Sequence, residues 1–171
     1  MSEYMGFLVF KGKGKCIICH TLNNQVPNPN SPEDQPERLP IFTDFKYHNL
    51  GIPKNLKNPW LSMPPEFNPD GRRYVDLGLA ENPAYYIGTA PYKVAKGRFK
   101  PPTLRNIAKT EPYGHNGYFK ADNTFMSLMM VVHFYATRDV PGEGWPPLML
   151  STPENPTKPW PAPEVKDATF L

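Results

Sequence analysis

The sequence predicts one folded domain with few long regular elements, joined by long proline-rich irregular loops. Three observations predict this. Proline supplies 23 of 171 residues, about 13% against an average near 5%. Leu, Ile, Val and Phe together reach about 22%, just above the roughly 20% associated with disorder. Only one stretch, Thr124 to Thr137, carries a sustained and convincing helical spacing. Proline plus glycine stays near 20%, short of the roughly 25–30% that marks low-complexity chains. The proline interruptions argue against a doubly wound α/β fold and against an ordinary helix bundle. Something other than aliphatic packing therefore has to organise the centre.

The elements follow in order. Ser2 to Phe10 reads as a short helix with Ser2 as its N-cap and its apolar positions on one side and at its end. Lys11 to Lys15 is a loop. Asn23 to Pro40 holds five prolines and four asparagines with no periodicity, and reads as a long surface loop. Ile41 to Leu50 is aromatic-rich and extended. Pro53 to Pro69 is proline-broken, and Asp70-Gly71 is a turn. Tyr74 to Leu79 reads as a short helix or strand. Tyr85 to Lys96 has no clear signal. Gly97 to Gly117 reads as an ordered loop with one helical turn around Leu104 to Ala108. The long helix Thr124 to Thr137 has Asn123 or Thr124 as its cap. Its spaced apolar residues are Phe125, Leu128, Met129, Val132 and Tyr135 or Ala136. Pro141 to Pro163 holds eight prolines and no helix. No repeat and no linker divides residues 1–171.

Charge is uninformative. Nineteen basic and 16 acidic residues give +3. The one basic cluster, Lys11-Gly-Lys13-Gly-Lys15, reads as a solvated loop, so no nucleic-acid partner is expected. No apolar run reaches the ~18 residues of a membrane span. Met1 to Phe10 lacks the basic start and cleavage site of a signal peptide.

The two cysteines carry the first chemical information. Cys16-Ile-Ile-Cys19-His20 is C-x-x-C-H, the attachment pattern for c-type haem. Two thiols on one helical turn can add across the two vinyl groups of one porphyrin edge. The adjacent His20 then lies beneath the iron as axial ligand. A thioredoxin-like reading needs a βαβ setting, and none precedes Cys16. A zinc site needs a second ligand pair, and there is no third cysteine. One covalent haem c is expected, assembled outside the cytoplasm. Because the chain shows no export signal, it is expected to be a mature chain or a fragment.

Several segments in order resemble the C-terminal haem domain of the bacterial di-haem cytochrome c peroxidase and MauG family. They are Gly6-Phe-Leu-Val-Phe10 with Cys16 to His20, Phe42-Thr-Asp-Phe-Lys-Tyr-His48-Asn-Leu-Gly51, and Gly97-Arg-Phe-Lys-Pro-Pro-Thr-Leu-Arg-Asn106. Thr110-Glu-Pro-Tyr-Gly-His115-Asn-Gly117 and Ser127-Leu-Met-Met-Val-Val-His-Phe-Tyr135 complete the set. The resemblance implies a mainly α, cytochrome c-like fold in which proline-rich loops bury against a porphyrin. It implies His20 as proximal ligand. It places Tyr135 where peroxidases carry Met and MauG-type proteins carry Tyr, while counting forward from His115 lands on Met129. Met130 and His133 are further rivals. Arg105 is the implied partner of a haem propionate, and His115 the histidine that hydrogen-bonds near one. Thr110 and Pro112 match positions whose carbonyls bind calcium between the two haems, with the remaining ligand on the other haem domain. His48 receives no role.

The resemblance also implies function. A six-coordinate haem relays electrons, and peroxide reacts at a second haem domain, whose C-x-x-C-H this chain lacks. The chain is then a peroxidase-type oxidoreductase only together with that second domain; its partner is that domain or a redox partner protein, within a larger complex, in the periplasm or another extracytoplasmic space. Against the family pattern it reads as truncated at both ends, leaving Gly6, Phe7 and Phe10 without their usual partner helix. The alternative is a stand-alone monohaem cytochrome c, acting as an electron carrier or a haem-stabilised subunit.

Overall fold

The computed structural model describes residues 2–85, 87–140 and 160–166. They form two compact units, Met1–His48 with Lys100–Ile107, and Asn49–Phe99 with Ala108–Leu171. Among the described residues there are three α-helices, five short 3-10 turns and one two-stranded sheet. None of these helices is long and apolar enough to cross a membrane.

The first unit opens with α1, Ser2–Lys11. Glu3 in its first turn and Lys11 in its last both suit the helix dipole. Ser2 is itself helical, so it takes the first helical position rather than the expected cap. The helix closes on Gly12 and Gly14, whose N–H groups donate to the Leu8 and Val9 carbonyls, both at 2.8 Å. A Cβ at Gly14 would stand 2.8 Å from the Val9 oxygen, so only glycine fits this close approach. Lys15 then turns left-handed (φ 54°) and delivers the chain into a 3-10 turn at Cys16–Ile18.

The stretch Asn23 to Pro40, expected as plain loop, contains a sheet. Strands β1 (Gln25–Pro27) and β2 (Arg38–Pro40) pair antiparallel, with Val26 opposite Leu39. The prolines sit at strand ends, where a missing N–H costs least. Asn28 closes the intervening loop through its N–H to the Glu37 carbonyl (2.9 Å) and its side chain to the Glu37 carboxylate (2.9 Å). Beyond β2, the buried Thr43 hydroxyl donates to the Pro101 carbonyl at 2.7 Å, and the Asn24 amide donates to the Thr43 carbonyl at 2.7 Å.

The second unit is organised by α3, Thr124–Thr137. Asn123 caps it, its side chain accepting from the Met126 N–H at 3.0 Å. The helix lies where the periodicity predicts, but a different face is buried. Ser127, Met130 and Phe134 point inward, whereas Phe125 (69%), Val132 (69%) and Tyr135 (53%) are exposed. The cause is that the helix is apolar almost all round, so spacing alone could not choose the inner side. Its neighbours choose. Phe134 packs against Phe119 and edge-on against Trp160, both at 5.2 Å between ring centroids. Trp160 donates its indole N–H to Thr137 at 2.9 Å.

Elsewhere side chains replace regular ladders. Residues 74–78, expected as helix or strand, are irregular between 3-10 turns at Gly71–Arg73 and Leu79–Glu81. A short α2, Ala90–Ala95, capped by Thr89, occupies the stretch that carried no signal. The turn expected at Leu104 to Ala108 falls at Ile107–Lys109. Of the proline-rich stretch from Pro141 to Pro163, residues 141–159 lie outside the described residues. Pro163 forms an isolated bridge with Pro53, and the Glu164 N–H donates to the Ile52 carbonyl at 3.0 Å.

Phe134, 1% exposed, anchors this core. Phe134→Ala should cost about 3–5 kcal/mol in urea unfolding. Phe125→Ala on the outer face should stay within about 0.5 kcal/mol.

Candidate functional site

In the first unit the thiols of Cys16 and Cys19 flank one turn of chain. Cys16 is exposed and Cys19 half-buried. Partial burial raises both thiols, and the Asp44 carboxylate adds to the effect at Cys19. The His20 backbone N–H donates to the Cys16 carbonyl at 2.9 Å, which closes this turn.

The decisive contact is on the ring. His20 Nδ1 lies 2.9 Å from the Phe42 carbonyl oxygen. A carbonyl can only accept, so Nδ1 carries a proton, and in the neutral ring the lone pair resides on Nε2. That is the tautomer of a metal-ligating histidine, oriented by a carbonyl behind it. Phe42 adopts φ 56°, a conformation uncommon for a bulky residue. Its ring meets Phe10 edge-on at 6.1 Å, and the Arg105 guanidinium lies 5.5 Å above it. Gly6, Phe7, Phe10, Phe42 and Leu104 line an apolar hollow of about 310 Å³. Two thiols, an Nε2 lone pair and a neighbouring apolar wall suit a haem c.

Arg105 donates its Nε to the Pro40 carbonyl at 2.8 Å. That bond and the cation–π contact with the Phe42 ring hold the guanidinium in place. Sequence reasoning assigned nothing to Asp44 or His48, yet they pair at 2.7 Å, with side chains 10% and 15% exposed. The Asp44 carboxylate, the His48 imidazole and the Cys19 sulfur offer ligand atoms within 4.8 Å of one another. A thioether at Cys19 would leave two donors, fewer than a zinc site uses. Burial alone would raise Asp44, but hydrogen bonds from His48 and from the Lys46 N–H hold its carboxyl below the usual range.

The remaining sequence-derived candidates belong to the second unit. His115 stacks on Phe99, with ring centroids 3.7 Å apart and planes 8° off parallel. Its Nε2 donates to Glu164 at 3.1 Å, and the Asn116 amide donates to the same carboxylate oxygen at 2.8 Å. Burial would raise Glu164, and these donors outweigh it, so its carboxyl sits below the ordinary value. Asp76 responds oppositely, pushed up chiefly by burial. Tyr135 is exposed on α3, Met129 is half-buried, and Met130 belongs to the core. Thr110 and Pro112 are exposed beside Glu111. Glu164 was missed from sequence because its partners lie 48 and 49 positions away.

Comparison with known proteins gives consistent relatives. Methylamine utilization protein MauG of Paracoccus denitrificans is 34% identical over 117 residues, which cover 68% of this chain and 25% of that protein. Cytochrome-c peroxidase IdrP2 of a Pseudomonas species is 29% identical over 157 residues, 87% of this chain and 35% of that protein. The solved diheme peroxidase BthA from Burkholderia thailandensis matches with a TM-score of 0.55 at 28% identity, covering 96% of this chain and 38% of that one. No protein-family profile matches the sequence. The chain thus spans 25–35% of the length of these two curated relatives.

Glu164 generates a pH test. Its folded value lies below the unfolded one, near 4.3. Its contribution to stability is therefore complete above about pH 4.3 and is lost as pH falls through the folded value. In urea unfolding between about pH 6 and pH 3, Glu164→Gln should lower stability at the upper end and flatten the acid loss. Asp76→Asn should instead raise stability at neutral pH, because the folded state disfavours the Asp76 charge.

Proposed function

The chain belongs to the di-haem cytochrome c peroxidase and MauG family, and from that premise we propose that it is a haem-c electron-transfer domain of a peroxidase-type oxidoreductase. The observation that carries the reading is the His20 Nδ1 bond to the Phe42 carbonyl beside the Cys16–Cys19 pair. It supports a histidine prepared to ligate iron through Nε2. The proposed fold is a single, mainly α, cytochrome c-like domain with proline-rich loops.

When bound, haem supplies one-electron exchange at its iron. Cys16 and Cys19 would hold it by thioethers, and His20 would supply a ligating nitrogen to its iron. Tyr135 would supply a further protein ligand, with Met129 as the alternative. The choice sets the electronics, since an anionic phenolate favours ferric iron and a neutral thioether raises the potential. A haem held by two protein ligands would leave peroxide no place to bind, so the domain would relay electrons, and peroxide cleavage would belong to a second haem domain.

Arg105 would pair with a propionate through the outer end of its guanidinium, whose donors suit a carboxylate. His115 would hydrogen-bond near a propionate; its Phe99 stacking and its bond to Glu164 support a fixed positioning role. The carbonyls of Thr110 and Pro112 offer hard oxygen ligands for calcium shared with the second haem domain. The partner is that second domain or a redox protein, in the periplasm or another extracytoplasmic space.

Two measurements test this. In the haem-loaded chain, Tyr135→Phe should change the ferric absorption spectrum and spin state, while Met129→Ala leaves them as in the wild type. The reverse pattern would transfer the ligand to Met129. The loaded chain should also cycle between ferric and ferrous with a mediator and show no peroxide turnover by itself. Rapid turnover in the isolated chain would contradict the relay.

A further inference from the structure

The Asp44–His48 pair is not used by the relay, yet it lies beside the sulfur that would carry a thioether. We propose, on the reading that Cys19 is bonded to haem, that the hydrogen-bonded Asp44 and His48 together set the reduction potential of that haem.

The geometry supports an electrostatic role. The Asp44 oxygen and the His48 nitrogen both lie within 4.8 Å of the Cys19 sulfur. That is well inside the roughly 8–10 Å over which salt screens exposed charges. The two side chains are only 10% and 15% exposed, which weakens screening further. The carboxylate is fixed from two sides. His48 Nε2 donates to one oxygen at 2.7 Å, and the Lys46 N–H donates to the other at 2.9 Å. The carboxylate cannot swing away without losing both bonds.

The sign follows from charge. Reduction adds one electron to the haem. A carboxylate beside it disfavours that electron and lowers the potential. The imidazole N–H offsets part of the carboxylate's field, so its removal lowers the potential further. Asp44 and His48 exchange no electron themselves. They are positioning residues whose two effects have opposite sign. A purely structural pair would not behave this way, because loosening the haem surroundings from either side moves the potential in one direction.

The test is a spectroelectrochemical titration of the haem-loaded full chain at neutral pH, compared with Asp44→Asn and His48→Phe. Haem staining of the denatured chain first establishes covalent attachment, and wild-type ferric and ferrous spectra establish an intact site. Asp44→Asn should raise the ferrous-to-ferric ratio severalfold at a fixed electrode potential, and His48→Phe should lower it. Asp44→Ser, which removes the charge but keeps a hydroxyl, should match Asp44→Asn in sign and serves if the asparagine variant does not fold. Unchanged potentials, or shifts in the same direction, would overturn the proposal. A wild-type chain without covalent haem would instead overturn the haem reading on which it rests.

Discussion

The hydrogen bond from His20 Nδ1 to the Phe42 carbonyl is the constraint on which the site depends. A net hydrogen bond of this kind contributes only about 0.5–1.5 kcal/mol to stability. Its importance is chemical, because it decides which ring nitrogen holds the proton. The surrounding chain is built to keep the acceptor in place. Phe42 stands in a left-handed conformation, braced by Phe10 and by the Arg105 guanidinium. The next residue, Thr43, is pinned by its hydroxyl to Pro101 and by its carbonyl to Asn24. Arg105 is tied in turn to Pro40, the last residue of β2. The small sheet, the aromatic pair and the arginine thus act on one carbonyl oxygen.

The second unit meets a different constraint, which is how a proline-rich chain satisfies its backbone. Proline removes donors and breaks ladders, and asparagine side chains take over. Asn68 donates to the Trp60 and Gly71 carbonyls and accepts from the Gly71 N–H. Asn55 donates to the Asn116 and Gly117 carbonyls, while Asn116 reaches Pro53 and Glu164. These amides substitute for strands, and each leaves buried polar groups paired. Aromatic packing of Phe119, Phe134 and Trp160 then supplies the apolar centre that the low aliphatic content foreshadowed.

How much of this was legible depends on the range of each signal. The C-x-x-C-H motif was legible because its chemistry lies within five residues. The position and cap of α3 were legible because Asn123 and the helical period are local. Its buried face was not, because apolar residues surround the helix and distant Phe119 and Trp160 make the choice. The sheet between Gln25–Pro27 and Arg38–Pro40 was hidden by the prolines at its strand ends. The Asp44–His48 pair has a helical i,i+4 spacing in a stretch that is not helical, so no pattern announced it. The hydrogen-bond network of His115, Asn116 and Glu164 depends on a tertiary approach that local reasoning does not reach.

The central claim is that this turn of chain carries a covalent haem ligated through His20. The most direct measurement is the intact mass of the chain matured in a host that attaches c-type haem, with alkylation of its thiols after denaturation. The account predicts a mass increase of one haem per chain and no alkylation at Cys16 or Cys19. A chain of unmodified mass with both thiols alkylated would contradict it.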